Sequence, residues 1–474
     1  GANGWRTAHN PPTEALLDEC DRRGMLVWDE NHRANAEPAF IEDLESMILR
    51  DRNHPSIVMW SLCNEALCEG FNATAAAILK PIIKTLDPDG QRPVTAAMNV
   101  APGVSKEFQA MLDVMGFNYH HTGYDLNHRA HPDQPMIGSE TSSDYSDRSI
   151  YANDPYVKKY VSAYDVNFPA WGATAEDAWC AISSREFVAG GFYWTGFDYK
   201  GEPTPYGWPN INSHFGVIDI AGFPKDNFHY HQSVFFNVQE KPILHLFPHW
   251  NWDTQQCTPR SNCRYDEEGR QLIDVWAYTN GASVELLLNS KSLGKRSMTT
   301  CRHVSWTVPY EAGELQAVSY AEDDKVLARA SVSTTGPAKT IDLSIDWPLE
   351  KPQAGDTVLV RVQLLDGQGR LVPTASAPLT FTASGAAQIL GVGNGDPSCH
   401  EADKPADTAT ASRTAWNGLA RVVLQVTGTP FKLEASGVGL QSGVLDMTEP
   451  KSKRTLFDSA SSSDRPDHER VAWV

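Results

Sequence analysis

Apolar and polar positions in the first half of the chain follow a repeating order: a short apolar run, a turn, then a stretch at helical spacing. The clearest run is Ser56 to Leu62. Ile41, Leu44, Met47 and Ile48 precede it at helical spacing. Asn53-His54-Pro55 stops that helix, because the residue before a proline is driven out of the helical region. The run carries a β-branched pair and suits a parallel strand covered on both faces. Further strands are predicted at Gly4–His9, Met25–Trp28, Arg92–Ala96 (a weaker one), Val114–Tyr119, Pro135–Glu140 and Gly190–Thr195. Helices are predicted between Thr13, placed as an N-cap, and Gly24, and at Ala73–Leu86 and Ala175–Val188.

Seven strands alternating with helices predict a parallel sheet with helices outside it. A closed (β/α)8 barrel needs eight strands. The missing one is expected to be the first, and the chain is expected to be a fragment or processed form without its upstream part. After about Leu246 the period changes to two. Leu272–Thr279, Val284–Leu288, Val304–Val308 and Glu314–Ala321 predict one immunoglobulin-like sandwich. Ala338–Asp346, Asp356–Leu365, Leu379–Ala383 and Leu419–Val426 predict a second. The expected organisation is a TIM barrel lacking its first strand over 1–245, sandwiches over 246–335 and 336–445, and a loosely ordered tail over 446–474.

Composition adds exclusions. The 474 residues carry a formal net charge of -19, which argues against nucleic acid and anionic membrane as partners. No apolar run reaches the roughly 18 residues of a membrane span. The eight cysteines are spread thinly and predict no disulfide scaffold. Cys257 and Cys263 bracket a polar loop and are either paired or two free thiols. No metal spacing occurs, and no metal or cofactor is expected. His120, His121, His128 and His131 read as a polar loop after a strand rather than a metal cluster. Asn72-Ala73-Thr74 fits a glycosylation sequon or a helix cap. Phe228, Tyr230 and Phe235 read as the core face of a helix.

The candidate chemistry lies at the strand tips. Glu65 and Glu140 end two different strands, and a barrel brings such ends to one face. Two carboxylates across a cleft supply the proton donor and the nucleophile or base that glycosidic cleavage needs. His9, Asp29, Glu30, Asn64, Asn118, Tyr119, Trp194 and Asp198 join them as strand-end groups. Aromatic faces and polar edges suit sugar rings. The competing reading is that such carboxylates only cap neighbouring helices.

Four stretches carry a resemblance: Arg6-Thr7-Ala8-His9-Asn10-Pro11, Val27-Trp28-Asp29-Glu30-Asn31, Arg50 through Ile57, and Trp60-Ser61-Leu62-Cys63-Asn64-Glu65. In this order they resemble the barrel domain of family 2 glycoside hydrolases, over about residues 1–245. Asp274-Val275-Trp276 and Val284 through Gly294 resemble C-terminal domains of secreted-type bacterial β-galactosidases. The resemblance implies a retaining exo-glycosidase acting on a terminal β-galactoside or another oligosaccharide. It implies Glu65 as acid/base, Glu140 as nucleophile, and Asn64 on the sugar 2-hydroxyl. Arg6 and His9 would line the pocket, with Asn118 and Asp198 also binding substrate. Tyr119 would lie by the nucleophile and Trp194 would form the floor. Two departures bear on specificity. Asn212-Ser213-His214 lacks the lysine by which glucuronidases bind a carboxylate, favouring a neutral sugar. The residues after Asp29-Glu30 lack the magnesium ligands of some β-galactosidases. A secreted or periplasmic location is favoured over a cytoplasmic one, and an open barrel edge allows a homo-oligomer. The alternative function is a truncated, non-catalytic carbohydrate-binding remnant, or a glycosidase for another neutral β-sugar.

Overall fold

The computed structural model describes residues 1–87, 91–101, 103–252, 263–346 and 352–447. Seven strands form one parallel sheet in sequence order. They are β1 (Gly4–Arg6), β2 (Leu26–Glu30), β3 (Ile57–Asn64), β4 (Val94–Met98), β5 (Met115–Asn118), β6 (Met136–Ser142) and β7 (Val188–Trp194). The sheet curls into a nearly closed barrel. Its edge strands β1 and β7 approach so closely that a Cβ on Gly4 would lie 3.1 Å from the Phe192 ring. All seven predicted strands are present, within a few residues at their ends.

Six helices accompany the sheet: α1 (Glu14–Arg23), α2 (Pro38–Asp51), α3 (Ala73–Leu86), α4 (Lys106–Gln109), α5 (Tyr124–Ala130) and α6 (Ala175–Ser183). Thr13 stands at the N-cap of α1, but its side chain caps nothing. Asn72 does cap α3, accepting from the Thr74 and Ala75 amides. The predicted helix to Val188 ends instead at Ser183, because Val188 already pairs with Met136 in the sheet. The predicted loop over the four histidines contains α5, whose single buried face, Tyr124 and Asn127, is too short to show a period. The His128 ring stacks on Phe187.

Apolar side chains from the outer strand faces and the helices form one core, among them Val27, Leu44, Ile48, Trp60, Leu79, Ile83 and Phe117. Inside the barrel, Trp28 packs with Ala97 and Ile137. Gly116 is required there, since a Cβ would lie 2.7 Å from the Trp28 ring and 2.4 Å from the Ala96 carbonyl.

Asp29 is buried beneath the strand tips, held by a hydrogen bond from Thr7. Burial, and then the neighbouring Asp51, push its carboxyl up to about 7. The folded chain therefore holds a proton that the unfolded chain releases near pH 4, and stability falls as pH rises between these values. Asp29→Asn removes this titration. Its Tm is expected to gain on the parent steadily from pH 4 to pH 7 in calorimetric scans, with no further gain above pH 8.

A second compact unit comprises residues 145–167 and the described residues from 197 to 447. Residues 145–167 and 197–245 thus share a unit with the sandwich strands. Arg148 illustrates the reason. Its buried guanidinium pairs with Asp219 at 2.7 Å and donates to the carbonyls of Asn394 and Trp416. This unit contains α7 (Asp226–Phe235), which buries Phe228 and Tyr230 and half-buries Phe235.

The first sandwich is built from β8 (Leu244–Phe247), β9 (Arg264–Tyr265), β10 (Gln271–Thr279), β11 (Ser283–Leu288), β12 (Lys291–Ser297), β13 (Val304–Pro309), β14 (Glu314–Tyr320) and β15 (Val326–Ser333). One sheet runs β13-β10-β8, with β9 on β10, and the other β12-β11-β14-β15. Trp250, Val275, Leu286 and Trp306 fill the space between them.

The second module has β16 (Thr340–Ile345), β17 (Thr357–Leu365), β18 (Pro378–Gly393), β19 (Thr410–Thr414), β20 (Leu419–Ser436) and β21 (Gly443–Asp446). Its ladders are continuous, because β18 and β20 are long and bulged. The first half of β20 pairs with β17 and its second half with β21. The predicted strands at 379–383 and 419–426 are only the first halves of these two. Most of the predicted tail, from residue 448, and Cys257 lie outside the described residues. No helix among the described residues is long and apolar enough to cross a membrane.

Candidate active site

Parallel strands present all their C-terminal ends at one rim, and the polar residues of this chain gather there. Arg6, Glu30, Asn64, Asn118 and Trp194 are the last residues of β1, β2, β3, β5 and β7, while Glu140 lies within β6. Glu65 and Tyr119 come one residue after their strands, in left-handed backbone conformation at φ 47 and 59. Side chains with a Cβ seldom adopt that conformation, and it is held where surrounding structure dictates the direction of a side chain.

Arg6 is the hub. Its guanidinium meets Glu30 at 2.9 Å, Glu140 at 2.9 Å and the Asn64 side-chain carbonyl at 2.7 Å. Glu30 also accepts from the Trp28 indole and the Ser61 hydroxyl, and its Oε1 lies 3.1 Å from His9 Nδ1. Burial works against the Glu30 anion, but Arg6 and His9 outweigh it and hold its carboxyl below the ordinary range. Its two acidic neighbours keep Arg6 firmly protonated despite burial.

Glu140 and Glu65 sit in contrasting surroundings. Glu140 accepts from Arg6, from Asn118 Nδ2 at 3.1 Å and from the Tyr119 hydroxyl, a set of donors that suits an anion. Burial and the Glu140 charge keep Tyr119 protonated, so its hydroxyl remains a donor. Glu65 is half-buried and accepts a bond from Asn118 Nδ2 at 2.9 Å. Burial raises its pKa above the ordinary value; the Asn118 bond opposes the rise, and the Glu140 charge adds to it.

The same Asn118 nitrogen therefore measures the gap. With 2.9 Å to Glu65 Oε1 and 3.1 Å to Glu140 Oε2, these oxygens are at most 6.0 Å apart. At the pocket edge the His9 and Trp194 rings stack with centroids 5.2 Å apart.

Eight of the nine predicted site residues meet here: Arg6, His9, Asn64, Glu65, Asn118, Tyr119, Glu140 and Trp194. The ninth is Asp198. It lies four residues past the end of β7, in the second unit, where it is buried, pairs with Lys225 at 2.8 Å and accepts from the Gly216 amide. Burial lifts its carboxyl to about 7, against the pull of Lys225.

Sequence reasoning named Glu30 as a strand-end group without seeing its pairing with Arg6, and it missed Ser143, which bonds the Tyr119 hydroxyl. It also missed a disulfide between Cys63 and Cys68, although the spacing of five across a strand-end turn is a usable signal. Cys180, Cys263 and Cys301 are disulfide-bonded too, which corrects the reading of the cysteines as a thin scatter and removes the free-thiol alternative for Cys263.

Residues 31–209 match the family model "Glycosyl hydrolases family 2, TIM barrel domain", and 341–446 match "Glycoside hydrolase family 2 C-terminal domain 5". Residues 270–328 match a domain of unknown function. The β-galactosidase BoGH2A of Bacteroides ovatus is 35% identical over 94% of this chain and 57% of its own length. A putative β-glucuronidase of Formosa agariphila is 29% identical over 91% of the chain and 43% of its own length. The chain thus spans about half the length of these relatives. Among solved structures, a family 2 member from Bacteroides cellulosilyticus is 30% identical, with TM-score 0.73 over 94% of the chain and 57% of that one. A β-glycosidase from Bacteroides vulgatus is 27% identical, with TM-score 0.77 over 94% of the chain and 59% of that one. The matched barrel and C-terminal domains, with a relative 35% identical over 94% of the chain, establish that the chain belongs to glycoside hydrolase family 2.

Proposed function

We propose that the chain carries the catalytic centre of a retaining exo-glycosidase that removes a terminal β-linked galactose. The observation that carries this reading is the limit of 6.0 Å between Glu65 Oε1 and Glu140 Oε2. Retaining enzymes hold their carboxyls about 5–5.5 Å apart, a spacing that this bound on one oxygen pair admits, whereas inverting ones hold theirs about 6.5–9.5 Å apart to admit a water.

In the first step an oxygen of Glu140 attacks the anomeric carbon while Glu65 gives its proton to the glycosidic oxygen. The bond to the leaving group breaks and a glycosyl ester of Glu140 forms. That ester removes the negative charge beside Glu65, which lowers the Glu65 pKa and makes it a base. Glu65 then takes a proton from water, the water attacks the anomeric carbon, and Glu140 leaves as a carboxylate. Arg6 and Asn118 both hold the Asn64 side-chain carbonyl, which leaves the amide N–H2 for a sugar hydroxyl. The His9–Trp194 stack offers an apolar face to the ring.

Galactose is favoured over an acidic sugar for two reasons. The 35% identical relative is named a β-galactosidase. The stretch Asn212-Ser213-His214, which the family resemblance sets against the carboxylate-binding motif of glucuronidases, has no lysine, and the His214 ring bonds Asp147 and Asn210. The disulfide-bonded cysteines suit an oxidising compartment, in keeping with a secreted or periplasmic location.

The test is a panel of aryl β-glycosides: galactoside, glucuronide, mannoside and glucoside. The expected result is hydrolysis of the galactoside above the other three. A preference for the glucuronide overturns the sugar assignment. Sugar binding by calorimetry without turnover of any glycoside favours the binding-remnant reading.

A further inference from the structure

The two carboxylates are located by different means. Glu140 is pinned by three side-chain donors from three positions. Among the described residues only Asn118 reaches Glu65. The position of Glu65 therefore depends on its own backbone, which leaves β3 and enters a turn of 3-10 helix, Glu65–Cys68, in a left-handed conformation.

The Cys63–Cys68 disulfide closes a ring around this turn. Cys63 is next to last in β3 and Cys68 ends the 3-10 turn, with 5.2 Å between their Cα atoms. Asn64 and Glu65 lie inside the ring. Both cysteines are 0% exposed and belong to the barrel core, so the ring is anchored in packed structure. A second tie, from the Ala34 amide to the Leu67 carbonyl, fixes the far side of the turn. A ring this short restricts the unfolded chain less than a long one does, so its main consequence is local.

We infer that the Cys63–Cys68 disulfide is a positioning device for Glu65, setting the direction from which the proton reaches the leaving group. The inference rests on the proposed role of Glu65. It predicts a selective defect, because a leaving group that needs no proton does not depend on where Glu65 points. General acid catalysis is worth roughly 10²–10⁴-fold, and a misplaced acid forfeits part of that.

The test compares the parent chain with Cys63→Ala/Cys68→Ala on phenyl and 2,4-dinitrophenyl β-galactosides. The expected result is a fall of about 30-fold or more in kcat/KM for the phenyl substrate. The dinitrophenyl substrate is expected to lose less than about 3-fold, since its departure needs no proton. The ratio of the two constants does not depend on the fraction of active protein, so a partly folded preparation still reports it. Cys68→Ser, which leaves the strand residue in place, carries the same readout should the double variant fail to fold. An equal loss on both substrates, or no loss, overturns the positioning role while leaving the proposed function intact. A parent chain that hydrolyses neither substrate overturns both.

Discussion

Glu140→Gln is expected to lower kcat for an aryl β-galactoside by about 10⁴-fold or more, the scale on which loss of a nucleophile is felt. Glutamine keeps the shape of the side chain, and its one carbonyl oxygen can replace either Oε1, which accepts from Tyr119, or Oε2, which accepts from Arg6 and Asn118. It cannot form the glycosyl ester, so the first step has no nucleophile. The fold should survive, since Arg6 keeps its pairing with Glu30 and its bond to Asn64. Circular dichroism and Tm check the fold, and steady-state kinetics check the loss. Glu140→Gly makes the chemistry explicit. Added azide can then enter the vacated space and attack the same face of the sugar, so the rescued product is the α-galactosyl azide. A variant that keeps even a tenth of the parent rate excludes Glu140 as nucleophile.

The second large effect belongs to Glu65. With a phenyl leaving group, Glu65→Ala is expected to lose about 10²–10⁴-fold, the usual worth of general acid–base catalysis. Azide should restore turnover of an activated substrate and give the β-galactosyl azide, because the glycosyl ester on Glu140 still forms. The pH profile is the sharper readout. Burial and the charge of Glu140 raise the Glu65 pKa, while Asn118 restrains it. The acid must be protonated in the first step, so parent activity falls as pH rises through that raised value. The falling limb should therefore lie above the ordinary glutamate range of about 4.3 and disappear in Glu65→Ala. A limb that persists unchanged in the variant assigns it to another group.

Much of this site was legible because parallel strands make it so. An apolar run ending in a polar pair, as at Leu62-Cys63-Asn64-Glu65, places the pair at the rim once the strand–helix alternation has been recognised. Arg6, Asn64, Glu65, Asn118, Tyr119 and Trp194 each stand at a strand's last residue or one past it. Asp198 lies four residues past the end of β7, in loop rather than strand, and pairs there with Lys225.

What stayed hidden depends on pairings between distant strands. Nothing in the spacing of Arg6 and Glu30 reveals that one guanidinium serves Glu30, Glu140 and Asn64 together. Nor does it reveal that one amide of Asn118 reaches both candidate catalytic carboxylates. Helix α5 was missed because seven residues with two buried positions carry no readable period. The long strands β18 and β20 were read short because their bulges shift the alternation midway, at Gly385/Ala387 and Ile389/Gly391.

The central proposal is that Glu140 forms a covalent glycosyl ester, and the most direct measurement is to trap it. A 2-deoxy-2-fluoro-β-galactoside with a dinitrophenyl leaving group slows both steps, but its good leaving group lets the ester form faster than it hydrolyses. Peptide mapping by mass spectrometry should find a single fluorogalactosyl adduct on Glu140, absent from Glu140→Gln. An adduct on another carboxylate, or no adduct in a chain that turns over ordinary galactosides, would contradict the assignment of Glu140 as nucleophile.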